Sequence, residues 1–114
     1  MNEVSDDRSN ELGRCDTPFG KAIAVRGVYD NESLAVELLD EEDGELIECL
    51  SINLPQFTQR LGKDEFFVKD WDVNETLIRP ALASGLFENT GRTSPRTGFG
   101  RYVPIWRILS QKKP

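Results

Sequence analysis

Residues 33–54 read SLAVELLDEEDGELIECLSINL. Leu34, Val36 and Leu38 alternate with Ala35 and Glu37, the period-2 spacing that turns every second side chain to one face of a strand. The polar run from Asp40 to Glu45 interrupts that pattern. Within it, Asp43-Gly44 is a hairpin signal, because both residues tolerate the positive φ of a tight turn. LIECLSINL then returns as a second strand and ends at Pro55. A two-residue loop sets Leu38 opposite Cys49, and a four-residue loop sets it opposite Ile47. One antiparallel hairpin is specified, with both registers open.

Upstream, KAIAVRGVY alternates Ile23 and Val25 with Ala22, Ala24 and Arg26, as a half-buried strand does. Asp30-Asn31 supplies the turn into the hairpin. Downstream, PQFTQRLGKD is a connection with room for one short helical turn, and EFFVKDW is an aromatic, branched strand. Asp72 or Asn74 then offers an N-cap, with Glu75 three residues after Asp72. Leu77, Ile78, Ala81 and Leu82 follow at helical spacing, and Gly85 is a natural stop. Pro80 costs about 3 kcal/mol inside a helix, so the helix is expected to start late or kink near Thr76. Leu86-Phe87-Glu88 reads as a short strand and residues 91–98 as a loop. FGRYVPIWRIL is the last strand, at an edge or bulged at Pro104. These elements predict an α+β fold: a mainly antiparallel, twisted sheet of about five strands with one helix packed on a face. Residues 1–18 are expected to be a disordered acidic tail, residues 19–110 a single domain, and residues 111–114 a frayed end.

At 114 residues, with 38% hydrophobic and 30% charged, the chain suits one small domain. No apolar run approaches the ~20 residues that span a bilayer, and the first residues lack the apolar core of an export signal. A cytoplasmic, non-membrane protein is the expectation, and the sequons at Asn31 and Asn74 are then chance matches. There is no histidine, and the cysteines are Cys15 and Cys49 alone. That inventory rules out a disulfide framework or a zinc site built from cysteine and histidine. Charge is uneven. Residues 1–75 hold 7 basic against 19 acidic side chains, a net −12, while residues 76–114 hold 7 against one, a net +6.

Three blocks carry a family likeness: SLAVELLDEEDGELIECLSINLP, DEFFVKDWDVNETL and SGLFENTGRTSPRTGFGRYVPIWRIL. Together, from Val28 to Leu109, they resemble the DUF4313 family of small bacterial, plasmid and phage proteins. Pro80, Tyr102 and Trp106 depart from that likeness. The resemblance implies an accessory, mobile-element context; the family's function is unknown, so no catalytic residue is carried over.

The chemistry-bearing residues point away from catalysis. Without histidine, acid–base work falls to carboxylates, and these cluster on a solvated hairpin tip where they titrate normally. No Gly-x-Ser-x-Gly elbow occurs. Aligning Gly44 with the glycine of a calcium loop puts Leu39 and Leu50 at the first and last ligand positions, so that reading fails. No metal and no cofactor is expected.

Two charged segments remain as binding candidates. In TGRTSPRTGFGR, Arg92, Arg96 and Arg101 stand among Thr90, Thr93, Ser94 and Thr97, an inventory suited to an anion or a nucleic-acid phosphate. The same arginines could neutralise the chain's own carboxylates; here Arg101 is expected to pair internally and Arg92 and Arg96 to face solvent. Overall acidity opposes nucleic acid unless the positive face is segregated, so a protein partner is expected and nucleic acid is not. In the hairpin, Glu41, Glu42 and Asp43 are candidate partner-binding residues, and with Glu37, Asp40, Glu45 and Glu48 they could mimic a phosphate track. Phe66, Phe67, Trp71, Phe99, Tyr102 and Trp106 are expected in the core rather than on a binding platform, with one side of FFVKDW exposed if its sheet is covered on one face only. The function read from this is a non-enzymatic accessory or interaction protein. Phosphate binding through residues 90–101 and acidic mimicry that inhibits a host protein are the alternatives. Because nothing here needs a metal or a disulfide to fold, chelator and reductant should each leave the melting temperature unchanged in a thermal scan.

Overall fold

In the computed structural model, residues 10–109 are described, so the expectations for residues 1–9 and 110–114 fall outside them. Eight strands form two antiparallel sheets of four. The first contains β1 (Glu11–Thr17), β2 (Gly20–Val28), β3 (Leu34–Asp40) and β4 (Leu46–Cys49), paired in that order. The second contains β5 (Ser51–Ile52), β6 (Glu65–Val68), β7 (Phe87–Thr93) and β8 (Pro104–Ile108), in the order β5-β6-β8-β7. One short helix, α1 (Ile78–Ala83), and two 3-10 turns, Pro55–Arg60 and Asp72–Thr76, complete the regular elements of the described residues. The expected α+β class holds in broad terms. The expected single sheet of about five strands does not, because the chain changes sheet between Cys49 and Ser51.

That crossing is built residue by residue. Glu37 pairs with Cys49 at the end of the β3–β4 ladder. Leu50 then donates its N–H to the Val36 carbonyl (2.9 Å), while its carbonyl accepts from Lys69 N–H (2.9 Å) just past β6. One residue thus bonds to both sheets. As the chain leaves, Val36 N–H loses its ladder acceptor, and the Ser51 hydroxyl oxygen accepts from it instead at 2.9 Å. The freed Cys49 carbonyl accepts from Asn74 Nδ2 at 2.8 Å. Tyr29 completes the junction with a 2.7 Å hydroxyl–hydroxyl bond to Ser51. Burial pushes the Tyr29 hydroxyl up to about 12, so it stays neutral at any ordinary pH.

Between the sheets lies the larger core: Val36, Leu38, Leu50, Phe66, Phe87, Trp106 and their neighbours. Phe66, Phe87 and Trp106 are in mutual ring contact, with centroids 5.6–6.3 Å apart. Ala22 and Ala24 are the fully buried residues of β2, and Ile23 and Val25 take the outer face. Small side chains there suit a layer shared with three large rings. The other face of the second sheet carries a smaller core of Leu54, Phe67, Val103 and Ile105, covered by Phe57, Leu61 and Trp71. Phe66, Phe67 and Val68 are therefore all buried, and the expected open side of FFVKDW does not exist.

The hairpin is present with a register between the two expected. Asp40 N–H bonds to the Glu45 carbonyl (2.7 Å) around a four-residue loop, and Gly44 takes φ 75°. Leu39 faces Leu46, but Ile47 is extra, so Leu38 faces Glu48. Residues 11–17, assigned above to the tail, form a strand paired to β2, with its own irregularity at Leu12. The helix starts late, as Pro80 requires: a 3-10 turn leads in, no side chain caps α1, and Gly85 ends it at φ 81°.

Ser51→Ala should lower unfolding stability by about 1–3 kcal/mol, since it strands the buried Val36 N–H. Tyr29→Phe should cost less, because Ser51 still serves Val36. Urea denaturation of the two variants checks the ranking.

Candidate functional site

The outer face of the second sheet gathers most of the basic segment. Glu65, Arg107 and Glu88 are direct cross-strand neighbours on β6, β8 and β7. Arg107 donates from Nη1 to Glu65 (3.2 Å) and from Nη2 and Nε to Glu88 (2.6 and 3.1 Å). Arg92, in the irregular stretch of β7, closes on the same Glu65 carboxylate and also donates to the Arg60 carbonyl at 3.3 Å. Gly62 N–H donates to the remaining Glu65 oxygen at 2.7 Å. Glu65 is only 5% exposed. Burial by itself would raise its pKa, but the bonds from Arg92 and Gly62 and the charges of Arg92 and Arg107 outweigh it. The carboxyl is held below the usual glutamate range.

The loop that follows is braced from inside. Ser94 N–H bonds to the Val103 carbonyl (2.8 Å), and Val103 N–H donates to Ser94 Oγ (3.0 Å). Thr97 donates to the Arg101 carbonyl through both N–H and hydroxyl, each at 2.9 Å. Thr90 hydroxyl donates to the Ile105 carbonyl (2.7 Å), and those of Thr93 and Ser94 donate to the carbonyls of Ser94 and Pro95. All four hydroxyls of the supposed anion site are thus donated to the protein's own backbone.

The arginines separate too, in part against expectation. Arg92 is exposed, as expected, yet also pairs with Glu65, whereas Arg101, expected to pair internally, is exposed and has no carboxylate partner among the described residues. Instead its guanidinium lies 4.8 Å from the Trp71 ring, a cation–π contact. Arg96 is exposed, as expected, and makes no ion pair among the described residues. Phe99 and Tyr102 are not in the core as expected: Phe99 leans on Trp71 with centroids 5.6 Å apart yet remains 57% exposed, and Tyr102 is 61% exposed, because both lie in the loop before β8 begins at Pro104. Near by on this face, Gln59, Arg60, Arg92, Thr93 and Ile105 line an open notch of about 550 Å³. The three arginines do not form one cradle. What the loop offers is an aromatic–arginine patch.

Sequence reasoning singled out the arginines and missed their neighbours. Trp71 and Arg60 come from distant turns, and no local spacing links them to the loop. Phe99 carried a usable signal: a ring between Gly98 and Gly100, in a turn too short to bury it.

The acidic hairpin is mostly committed to its own shape. Asp40 Oδ1 accepts from the N–H groups of Glu42 (2.7 Å) and Asp43 (3.3 Å), and Asp43 Oδ1 accepts from Glu45 N–H (3.0 Å). Glu41 pairs with Arg14 at 2.6 Å. Of Glu41, Glu42 and Asp43, only the Glu42 side chain has no partner among the described residues. Among those residues no three histidine, cysteine, aspartate or glutamate side chains are grouped to hold a metal ion. No helix there is long and apolar enough to cross a membrane. Comparison with protein-family models, curated proteins and solved structures gives no match to this chain.

Because Glu65 binds its proton less tightly in the folded protein than in the unfolded chain, its pairing stabilises fully above the ordinary value of ~4.3. The contribution declines as pH falls toward the lower folded value. Glu65→Gln should therefore flatten the loss of stability between about pH 5 and pH 3. Denaturant titrations across that range read it directly.

Proposed function

We propose that this protein is a non-enzymatic interaction module that acts by contact through residues 94–103 and Trp71. The observation that carries this reading is the display of Phe99 and Tyr102 beside Arg96 and the Trp71-stacked Arg101, on a loop fixed by its own hydrogen bonds. Aromatic rings and arginines are the residues that dominate binding energy at contact surfaces. A loop already held in shape loses little freedom on binding. The patch suits a partner offering flat apolar surface together with oxygen anions. An accessory role in the cytoplasm agrees with the resemblance to DUF4313. Acidic mimicry finds less support, since Asp40, Glu41 and Asp43 are tied to the hairpin or to Arg14.

Three proteins immobilised in host lysate test the proposal: wild type, Phe99→Ala/Tyr102→Ala, and Glu41→Lys/Glu42→Lys/Asp43→Lys. Wild type and the hairpin variant should retain the same partner, protein or nucleic acid, and the loop variant should lose it. Loss in the hairpin variant alone, or turnover of a small substrate by the purified chain, overturns the reading.

A further inference from the structure

Resting on that reading, we infer that the ligand of the aromatic–arginine patch is single-stranded nucleic acid. Three observations converge. First, the patch presents exposed rings rather than a pocket for a ring. Phe99 and Tyr102 stand out from the loop, and the neighbouring concavity is the notch of Gln59, Arg60, Arg92 and Thr93, lined by polar and cationic groups around Ile105. Protein hot spots centre on well-packed apolar pockets, whereas unpaired bases need only a flat π face to stack on.

Second, cations flank the rings. Arg60, Arg96 and Arg101 form no ion pair with a described carboxylate. Arg101 keeps its charge while stacking on Trp71, as guanidinium groups do beside bases. Residues 89–109 contain no acidic side chain. The nearest carboxylates in the ladder, Glu65 and Glu88, are consumed by Arg92 and Arg107.

Third, the acidity that argues against nucleic acid is placed elsewhere. The hairpin acids belong to the first sheet, which covers the inner face of the second, and the patch adjoins the smaller core on the opposite face. Asp70 and Asp72 flank Trp71, but residues 94–103 carry Arg96 and Arg101 and no acid, so a net charge of −6 does not describe what a phosphate chain meets along the loop. Bases stack on Phe99 and Tyr102, and phosphates run past Arg96 and Arg101 toward the notch at Arg60. No sequence-specific readout is implied, because ring stacking accepts any base.

Fluorescence anisotropy with labelled oligo-dT and oligo-rU about twelve nucleotides long tests this, with a duplex of similar length and a Glu/Leu-rich peptide as the other probes. With about three phosphates contacted, wild-type affinity for single strands should fall roughly twenty-fold between 50 and 200 mM salt. Phe99→Ala and Tyr102→Ala should each weaken binding about ten-fold or more. Arg96→Ala/Arg101→Ala should make the salt dependence shallower, by about 0.7 in logarithmic slope per arginine. All four side chains are exposed, so the variants should stay folded, with thermal scans showing at most a small shift where Phe99 or Arg101 leaves its contact with Trp71. Absence of single-strand binding at low salt, equal affinity for duplex, or indifference to both ring substitutions overturns the inference. Peptide binding that is lost with the rings, and without oligonucleotide binding, overturns it while leaving the interaction module standing. Indifference of every probe and of the lysate partner to the ring substitutions removes both.

Discussion

The backbone of Leu50 is bonded through its N–H to β3 and through its carbonyl to the residue that follows β6, and the arrangement of both sheets depends on it. A strand that changes sheets must abandon hydrogen bonds in the first before it completes those of the second, and buried backbone groups left alone are costly. Here each loose group finds a replacement: the Ser51 hydroxyl for Val36 N–H, the Asn74 amide for the Cys49 carbonyl, Lys69 N–H for the Leu50 carbonyl. Once the crossing is secured, the second sheet receives a partner layer on its inner face. Phe66 and Trp106 then have a dry side to occupy.

The division of charge along the chain resolves differently from simple neutralisation. Only Arg92 and Arg107 turn to carboxylates within the second sheet, meeting Glu65 and Glu88 across three strands. Their role is positional: they tie the start of the loop to β6 and β8 at the rim of a core face. Arg101, lying beyond the strands, reaches an aromatic ring instead. The hydroxyls that made this segment look like an anion cradle are the internal struts of the loop. Much of what reads as binding chemistry in the sequence is scaffolding.

Legibility followed periodicity. Leu34, Val36 and Leu38, the Asp43-Gly44 turn and the stripe ending at Gly85 all obey simple repeats, and the structure places them accordingly. β1 escaped because the extra residue at Leu12 separates its buried side chains, Leu12 and Cys15, by three positions instead of two. The β2 alternation was visible but left its inward face open, since Ala22 and Ala24 are buried through the bulk of their neighbours rather than their own. The second sheet was hidden by continuity: LIECLSINL has no glycine or proline to interrupt it, and nothing in it marks the bend at Leu50. The patch was half legible, its arginines from composition, its aromatic floor only from the meeting of distant turns.

The irregularities of pairing share a location. β1, β4 and β7 each lie at the margin of a sheet, and each contains an extra or unpaired stretch: at Leu12, at Ile47, and between Asn89 and Thr93. The fourth margin, β5, is two residues long. The internal pairs, β2 with β3 and β6 with β8, run without interruption. Sheets with straight margins recruit strands from other molecules, and a kink or an early stop denies them a template. Each margin of this β-rich molecule is therefore a poor template for another strand, and the obstacle is backbone geometry rather than charge, so it would persist at high salt.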